Sequence, residues 1–228
     1  MIGVRFLFAA ALMAAVLLAS GTAFAAGGVL DRNSRVGDVV RFGEYMTTYD
    51  GLITPIEWRV IDVSDGVALL MADKAIDCRP YDTTGESVDW IACSLRAWLN
   101  GDFYRSAFSE EEKARIVRTT LDCSWPDDKP VSQCIDRIFC LSPLELDKYV
   151  KGESSRCRRP TAYATRAGAF VFSEEGMPEY TGNTNYWLRW PAKLDYSFYV
   201  TFMGVVISHG VPTKDVSVCV CPAMRVRL

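Results

Sequence analysis

One stretch decides how this chain begins to fold: Ile56-Glu57-Trp58-Arg59-Val60-Ile61-Asp62-Val63-Ser64-Asp65-Gly66-Val67-Ala68-Leu69-Leu70-Met71. Residues 56–63 alternate Ile, Trp and Val with polar residues, which is typical of a strand with one buried face. Residues 67–71 continue as an apolar run. An Asp-Gly pair between two such runs is a strong signal for a tight turn. We therefore predict an antiparallel β-hairpin.

The segments on either side of the hairpin give a second strand and a first helix. Residues 39–42 predict a strand that ends at Gly43. Residues 94–100 place Leu95, Trp98 and Leu99 on one face, and we expect this helix to stop at Gly101.

Two further helices begin at capping boxes, in which a serine and a glutamate three residues later satisfy each other's free backbone N–H groups. The first box, residues 109–112, opens a helix that we expect to reach Arg118. The second, residues 142–145, has proline at the first helical position and opens a helix to Lys151. Residues 137–141 predict a short buried strand between them.

The last third of the chain is strand-like and rich in turns. Short apolar pieces occupy residues 169–172 and 186–190, and a longer run covers 198–207. Residues 216–228 end in alternation, with apolar and arginine side chains facing opposite ways. Helices in the middle with antiparallel strands on both flanks predict one α+β domain.

Length and composition limit the classes of protein. A chain of 228 residues suggests one domain or at most two. Half of the residues are hydrophobic, which excludes a disordered or fibrous chain. The net charge of −3 gives no general basic surface, so we expect no nucleic-acid partner.

The first 25 residues follow the layout of a secretory signal peptide. Arg5 is the only charge, residues 6–19 are apolar, and Ala23-Phe24-Ala25 places small residues at the cleavage site. An uncleaved membrane anchor is the alternative, but the run is shorter than the ~20 residues that span a bilayer. We expect cleavage after Ala25, a periplasmic or secreted protein, and no stable membrane anchor afterwards.

The chain has eight cysteines, an even number that predicts four disulfides in an oxidising compartment. Cys123 and Cys134 bracket an irregular loop, which a local bond would close. Cys219 and Cys221 are two apart on a predicted strand, too far for a bond, so we expect different partners. The eight positions are Cys78, Cys93, Cys123, Cys134, Cys140, Cys157, Cys219 and Cys221.

A metal site is the alternative use of these cysteines. Structural zinc sites show paired ligands, and only Cys219-Val220-Cys221 comes near that spacing. His209 is the single histidine of the chain. We therefore expect disulfides and no metal.

No motif for catalysis is present. The chain has neither a G-x-S-x-G element nor a phosphate-binding loop. Acidic groups at residues 110–112 belong to a helix start, and those at 127–128 and 174–175 read as solvated loops. We expect no catalytic residue and no cofactor.

Binding is the remaining chemistry, and residues 183–191 concentrate aromatic, amide and guanidinium groups. Aromatic rings offer stacking surfaces, and arginine can bind a carboxylate with two donors. Our candidate binding residues are Asn185, Tyr186, Arg189 and Trp190. A second candidate is the basic run Arg156-Cys157-Arg158-Arg159, which would dock an anion unless it is a solvated loop.

Short motifs recur through residues 37–228 in an order that resembles a bacterial extracytoplasmic family known as domain of unknown function 6273. The motifs are Phe42-Gly43, Pro55-Ile56-Glu57-Trp58-Arg59-Val60, Leu95-Arg96-Ala97-Trp98-Leu99-Asn100, Phe103-Tyr104, Ala107-Phe108-Ser109, Asp136-Arg137-Ile138-Phe139-Cys140-Leu141-Ser142, Thr161-Ala162-Tyr163-Ala164, Tyr186-Trp187-Leu188-Arg189 and Pro222-Ala223.

That family is similar to the C-type-lectin-like fold, which formylglycine-generating enzymes also use. The resemblance implies that the first helix is tied to the last strand, so we expect Cys93 to pair with Cys219 or Cys221. Where the family has Gly-Val-Arg-Pro-Ala, this chain has Cys219-Val220-Cys221-Pro222-Ala223. The triplets of calcium-dependent lectins are missing, so we expect no calcium site.

The resemblance also bears on the candidate residues. It favours core roles for Trp187 and Arg189, whereas Trp190 stands where the family has a small polar residue. We therefore expect Trp190 to be exposed. A cysteine pair like that of the formylglycine-generating oxidases implies an alternative oxidoreductase that uses Cys219 and Cys221.

These observations combine into one expectation. Residues 1–25 are a signal peptide, 26–36 a flexible lead-in and 37–228 a single α+β domain with a C-type-lectin-like fold. We expect a secreted, disulfide-bonded, non-catalytic protein that binds a glycan or protein ligand of the envelope or the extracellular space. A purely structural extracellular module is the further alternative.

Overall fold

The computed structural model describes residues 27–84, 89–123, 132–193 and 195–228. Within these ranges the protein is a mixed α+β structure, mostly sheet with a few short helices. The signal peptide predicted at residues 1–25 and the acidic pair at 127–128 lie outside the described residues. The division at residue 37 stays a prediction.

The helices fall between the two groups of longer strands. The strands are β1 (Gly28–Val29), β2 (Val39–Met46), β3 (Ile53–Ser64), β4 (Val67–Ala72), β5 (Asp77–Cys78), β6 (Ile116–Val117), β7 (Thr119–Asp122), β8 (Gln133–Asp136), β9 (Ile138–Phe139), β10 (Tyr186–Pro191), β11 (Tyr196–Val200), β12 (Val206–Pro212), β13 (Cys219–Val220) and β14 (Ala223–Arg227). The helices are α1 (Ser94–Trp98), α2 (Tyr104–Ala107), α3 (Glu110–Arg115), α4 (Pro143–Tyr149), α5 (Glu153–Arg156) and α6 (Ala162–Arg166), with a π-helical turn at Leu99–Phe103 and a 3-10 turn at Pro178–Tyr180.

The predicted hairpin is confirmed. Strands β3 and β4 pair in antiparallel register, with Ser64 opposite Val67. Asp65 and Gly66 both take left-handed backbone angles, with φ of 51° and 72°. That combination is the two-residue turn whose twist matches the twist of paired strands.

The hairpin belongs to a seven-stranded sheet in the order β1-β2-β3-β4-β14-β6, in which β9 also pairs with β14. The last strand of the chain therefore lies inside this sheet, beside β4. Its predicted alternation is confirmed, because Met224 and Val226 are buried while Arg227 is exposed.

A second sheet has five strands in the order β12-β11-β10-β13-β5. Most pairings in the molecule are antiparallel, as predicted, but β1 pairs with β2 and β10 with β13 in parallel. The chain passes from the second sheet to the first between β13 and β14, where Pro222 accepts a hydrogen bond from the backbone N–H of Ala72. One buried apolar cluster extends through both sheets.

Several local predictions need correction. Strand β2 does not end at Gly43 but continues to Met46. The first helix does not stop at Gly101, because this glycine is not left-handed and the chain continues through the π-helical turn into α2. The run at 198–207 is two strands, since Gly204 has φ +82° and turns the chain back from β11 into β12. No strand forms at residues 169–172.

The capping boxes are confirmed at Ser109 and Ser142, each with both reciprocal hydrogen bonds. The helices that they open end earlier than predicted, at Arg115 and Tyr149. In the first case β6 begins at once, because Ile116 and Val117 pair with β14.

Candidate functional site

The predicted binding strand lies in the core of the molecule. Tyr186 is fully buried and its hydroxyl donates to the carbonyl of Arg156 at 2.9 Å. Asn185 is half-buried, and its side-chain oxygen accepts from the backbone N–H of Phe202 at 2.8 Å. The expected exposure of Trp190 is wrong, because only 2 % of this residue is exposed and its indole donates to the carbonyl of Asp122.

Arg189 is the fourth predicted binding residue, and its guanidinium forms hydrogen bonds within the protein. Its Nε donates to the carbonyl of Asp122 at 3.0 Å. Its Nη1 donates to the carbonyl of Cys140 and to the Glu145 carboxylate, both at 2.8 Å. Strand β10 lies between β11 and β13 and is covered on both faces, so none of its polar groups is offered to a ligand.

One close pair of cysteines lies on two neighbouring strands of the second sheet. Cys78 and Cys219 stand opposite each other in β5 and β13, and their sulfurs are 3.6 Å apart. All eight cysteines are free thiols in the structure. Cys219 thus has Cys78 as its neighbour, where the family resemblance had led us to expect Cys93.

A second pair lies at the base of the loop that follows β7. Cys123 and Cys134 are hydrogen-bonded through their side chains, and this bond lowers the pKa of Cys123 and raises that of Cys134. These are the two cysteines that the sequence placed at the ends of a closed loop. Of the residues between them, 124–131 lie outside the described ranges.

The two cysteines of the Cys219-Val220-Cys221 motif point to different neighbours. The Cys221 thiol donates to the carbonyl of Ala72 at 3.2 Å. Both residues are buried, and burial raises the pKa of Cys221 to about 12. An oxidase of the kind considered above requires this pair to be reactive and beside a cleft, and the burial of both thiols argues against it.

One surface depression, here called the hairpin groove, lies beside the connection between β2 and β3 and has a volume of about 530 Å³. Tyr49 stands at its edge and is 67 % exposed. Its lining combines hydroxyl, charged and aromatic groups from three segments of the chain: Arg41, Thr47, Thr48, Tyr49, Thr54, Pro55, Ile56, Glu57, Lys74, Ile76, Pro160, Thr161 and Ala162. Such a mixture can both stack on a ligand and hydrogen-bond to it.

The tip of the same connection is apolar and exposed. Leu52 and Ile53 follow Tyr49 within four residues, and all three side chains are open to solvent. Sequence reasoning missed this site. The available signal was three large apolar residues in a connection otherwise made of Thr, Asp and Gly.

A second depression, here called the basic groove, has a volume of about 400 Å³ and shares Lys74 with the hairpin groove. It is lined by four cationic side chains, one carboxylate and several small polar groups: Arg59, Asp73, Lys74, Ser154, Ser155, Cys157, Arg158, Arg159 and Asn183. It contains part of the basic run found in the sequence. Arg156 of that run is elsewhere, 2.5 Å from the Asp147 carboxylate.

A third depression of about 480 Å³ borders α1 and the π-helical turn, where Arg79 lies over the ring of Trp98 at 4.3 Å. The Arg79 guanidinium also donates to the buried Asp77 carboxylate at 2.8 Å. Asp77 in turn accepts from the Tyr45 hydroxyl. These contacts hold Arg79 on the ring and cover one face of the indole.

Across the part of the chain that the structure describes, no group of three or more His, Cys, Asp or Glu side chains is placed to hold a metal ion. Nor does any helix in the described ranges have the length and apolar character needed to cross a bilayer.

Comparison with known proteins identifies the family. No curated protein and no solved structure matches this chain. Residues 65–228, from the hairpin turn to the C-terminus, match the family described as domain of unknown function (DUF6273). The matched segment is most of the chain, and the protein therefore belongs to this family.

Proposed function

We propose that this protein is a secreted, disulfide-bonded, non-catalytic domain that binds an envelope or extracellular glycan in the hairpin groove. The observation that carries the proposal is the position of Tyr49, an exposed aromatic residue in the lining of the hairpin groove. The apolar body and polar tip of tyrosine suit a surface that is apolar and hydroxylated at once, as a sugar ring is.

The groove supplies polar partners around that ring. Glu57, Lys74 and Arg41 bring both signs of charge, and none of the three forms an ion pair within the described ranges. Thr47 and Thr54 contact each other through their hydroxyls at 2.5 Å, which fixes their orientation at the groove wall. Fixed hydroxyls and charged groups around an aromatic ring favour a ligand rich in hydroxyl groups.

The proposed secretion has support from the cysteines. Residues directly opposite on antiparallel strands have the Cα separation that a disulfide needs. Cys78 and Cys219 are such a pair, with sulfurs 3.6 Å apart. Exchange with an oxidised disulfide of the extracytoplasmic compartment would join them, and Cys123 with Cys134. In each case the oxidising disulfide takes up the two electrons and two protons and is reduced to two thiols.

Peptide mapping of the non-reduced, exported protein tests this part of the proposal. We expect cross-linked peptides that contain Cys78 with Cys219 and Cys123 with Cys134. Replacement of Cys78 by Ala should lower the free energy of unfolding by about 2–4 kcal/mol. Free thiols at both positions of either pair would contradict the assignment.

We also propose that the fold is C-type-lectin-like. What supports this is the return of the last strand, β14, into the first sheet after a turn-rich second sheet. An experimental structure tests the proposal by superposition on known C-type-lectin-like domains, and a different strand order would contradict it.

Glycan binding is tested on the exported protein with an array that includes peptidoglycan fragments and surface polysaccharides. Tyr49→Ala should abolish the signal of the bound glycan without lowering the melting temperature, because the side chain is exposed. Tyr196→Ala is the matched control, since this tyrosine is also exposed and lines none of the three grooves. Equal loss in both variants, or no glycan bound by the parent protein, would contradict the proposal.

A protein ligand is the second candidate, and the apolar tip favours it. Leu52 and Ile53 are exposed beside Tyr49, and exposed apolar groups that lie together mark interaction sites. A Leu52→Ser, Ile53→Ser double variant should lose a protein partner while it retains glycan binding. Val36→Ser, at another exposed apolar residue, is the control.

A further inference from the structure

We propose that the basic groove is an oxyanion-binding site, whose ligand presents a sulfate, phosphate or carboxylate group. The inference goes beyond the proposed function, because it concerns a different groove and a ligand class of its own. It rests on three neighbouring cations of this groove. Within the described ranges, the buried Arg158 guanidinium forms no ion pair with a carboxylate, and the exposed Lys74 and Arg159 beside it form none either.

Arg158 is the buried member. Only 4 % of the residue is exposed. Its Nη1 donates to the carbonyls of Ser155 and Cys157, each at 2.8 Å. Its Nη2 reaches the thioether of Met71 at 3.3 Å, and its Nε has no hydrogen-bond partner. A buried donor left without a partner is uncommon and calls for a physical explanation.

The charge of Arg158 also lacks a direct partner. Among the described residues it forms no ion pair, although the nearby Asp73 carboxylate attracts its charge. The groove has one carboxylate, Asp73, and Arg59 holds it at 2.6 Å. The Cys221 thiol lies close to the guanidinium, but burial raises its pKa to about 12, so it is neutral at physiological pH.

The two cations that flank Arg158 add further positive charge to the groove. Lys74 and Arg159 are exposed, and neither forms an ion pair in the described part of the chain. Arg159 reaches only the carbonyl of Thr181, at the long distance of 3.5 Å. The groove therefore concentrates positive charge on a chain whose net charge is −3, and such a concavity attracts anions.

The polar groups of the groove fit an oxyanion in particular. Guanidinium and ammonium donors form their strongest hydrogen bonds with carboxylate, sulfate and phosphate oxygens. The hydroxyls of Ser154 and Ser155 lie in the same wall. An anion seated between Lys74 and Arg159 would neutralise Arg158, whose delocalised charge reaches the groove.

The test titrates the exported full chain with inorganic sulfate, inorganic phosphate and acetate at constant ionic strength. Calorimetry and the melting temperature follow binding. We expect saturable binding of at least one anion. A preference for sulfate and phosphate would identify a tetrahedral group, and a preference for acetate a carboxylate.

Three variants locate the site. Lys74→Ala with Arg159→Ala should weaken binding roughly four- to twentyfold, because each removes an exposed charge. Arg158→Lys keeps the buried charge and should retain measurable binding, whereas Arg158→Met should weaken it at least about tenfold. The control, Arg32→Ala with Lys151→Ala, removes two exposed charges outside the groove and should leave the affinity unchanged.

Two results would overturn the inference: no saturable binding of any of the three anions, or equal weakening in the control and the groove variants. The outcome is separable from the glycan test. Anion binding without glycan binding would overturn the proposed function and leave the oxyanion site standing, and the reverse result would do the opposite.

Discussion

Arg189 and Arg158 are both buried arginines, and they differ in what surrounds them. Arg189 donates to two carbonyls and to the Glu145 carboxylate, which compensates its charge. Arg158 donates to two carbonyls and a thioether, has an unpartnered Nε, and faces no carboxylate of its own. A fully paired buried cation serves the fold, whereas an unpaired one beside a groove is available to an anion from outside.

The difference also separates the two candidate sites that the sequence offered. The Tyr186–Trp190 strand has more of the residue types associated with recognition, yet all of it is core. The Arg156–Arg159 run has fewer such residues, yet it contributes to a groove. The residue types did not distinguish the two sites. What distinguished them was whether each polar group already has its hydrogen-bond and ion-pair partners within the protein.

The largest expected effect concerns Arg189. Arg189→Met should lower the free energy of unfolding by about 3–5 kcal/mol, because the Glu145 carboxylate loses its cationic partner and the carbonyls of Asp122 and Cys140 each lose one hydrogen bond. Urea unfolding followed by tryptophan fluorescence measures the change. A decrease in the free energy of unfolding below about 1 kcal/mol would show that Arg189 does not stabilise the fold.

Arg158→Met should have a smaller effect, within about 1.5 kcal/mol of the parent protein. Two carbonyls lose a donor, but an uncompensated buried charge disappears as well and no carboxylate is left unpaired. The same unfolding measurement applies. A loss as large as that of Arg189→Met would mean that Arg158 is as structural as Arg189.

Alkaline pH tests the surroundings of Arg158 through the Cys221 thiol, which lies close to the guanidinium. Burial raises the pKa of Cys221 from 9.0 to about 12. The folded state therefore favours the protonated Cys221 thiol. The stability that this preference adds to the folded state is complete below pH 9 and is lost as the pH rises towards 12. In reduced protein, we expect the urea midpoint to fall over this range and to fall less in Cys221→Ala.

The pH experiment has its own control. Cys157 is half-exposed, so Cys157→Ala should leave most of the alkaline loss in place. Identical pH profiles for the parent protein and Cys221→Ala would show that this thiol does not titrate as its burial implies.

The smallest effect is expected from the exposed cations. Lys74→Ala and Arg159→Ala should each change the free energy of unfolding by less than about 0.5 kcal/mol, because neither side chain has an ion-pair partner to lose. A larger decrease in the free energy of unfolding would indicate that these side chains stabilise the fold. Urea unfolding curves of the two single variants measure this change.

The features that the sequence predicted correctly are local ones. The Asp65-Gly66 turn and the capping boxes at Ser109 and Ser142 depend on residues within three or four positions of each other. The alternation at Met224 and Val226 needs only one buried face. Each of these patterns carries its own physical cause in the sequence.

The errors come from neighbours that are distant in the chain. Trp190 is buried because β10 lies between two other strands, and strand order depends on pairings across the whole domain. Arg158 is buried against Met71, and Lys74, which follows β4, lines the same groove. The basic run indicated an anion site in general, but no local pattern shows which arginine is buried or which lysine joins it.

The decisive measurement follows the side-chain Nε–H signals of the arginines by NMR during titration with whichever of sulfate, phosphate and acetate binds most tightly. We expect the Arg158 signal to shift in a saturable way and the Arg189 signal to stay in place. The Arg158→Met variant assigns the signal. An Arg158 signal that none of the three anions moves at saturation, or equal shifts at both residues, would show that Arg158 is not part of an anion site.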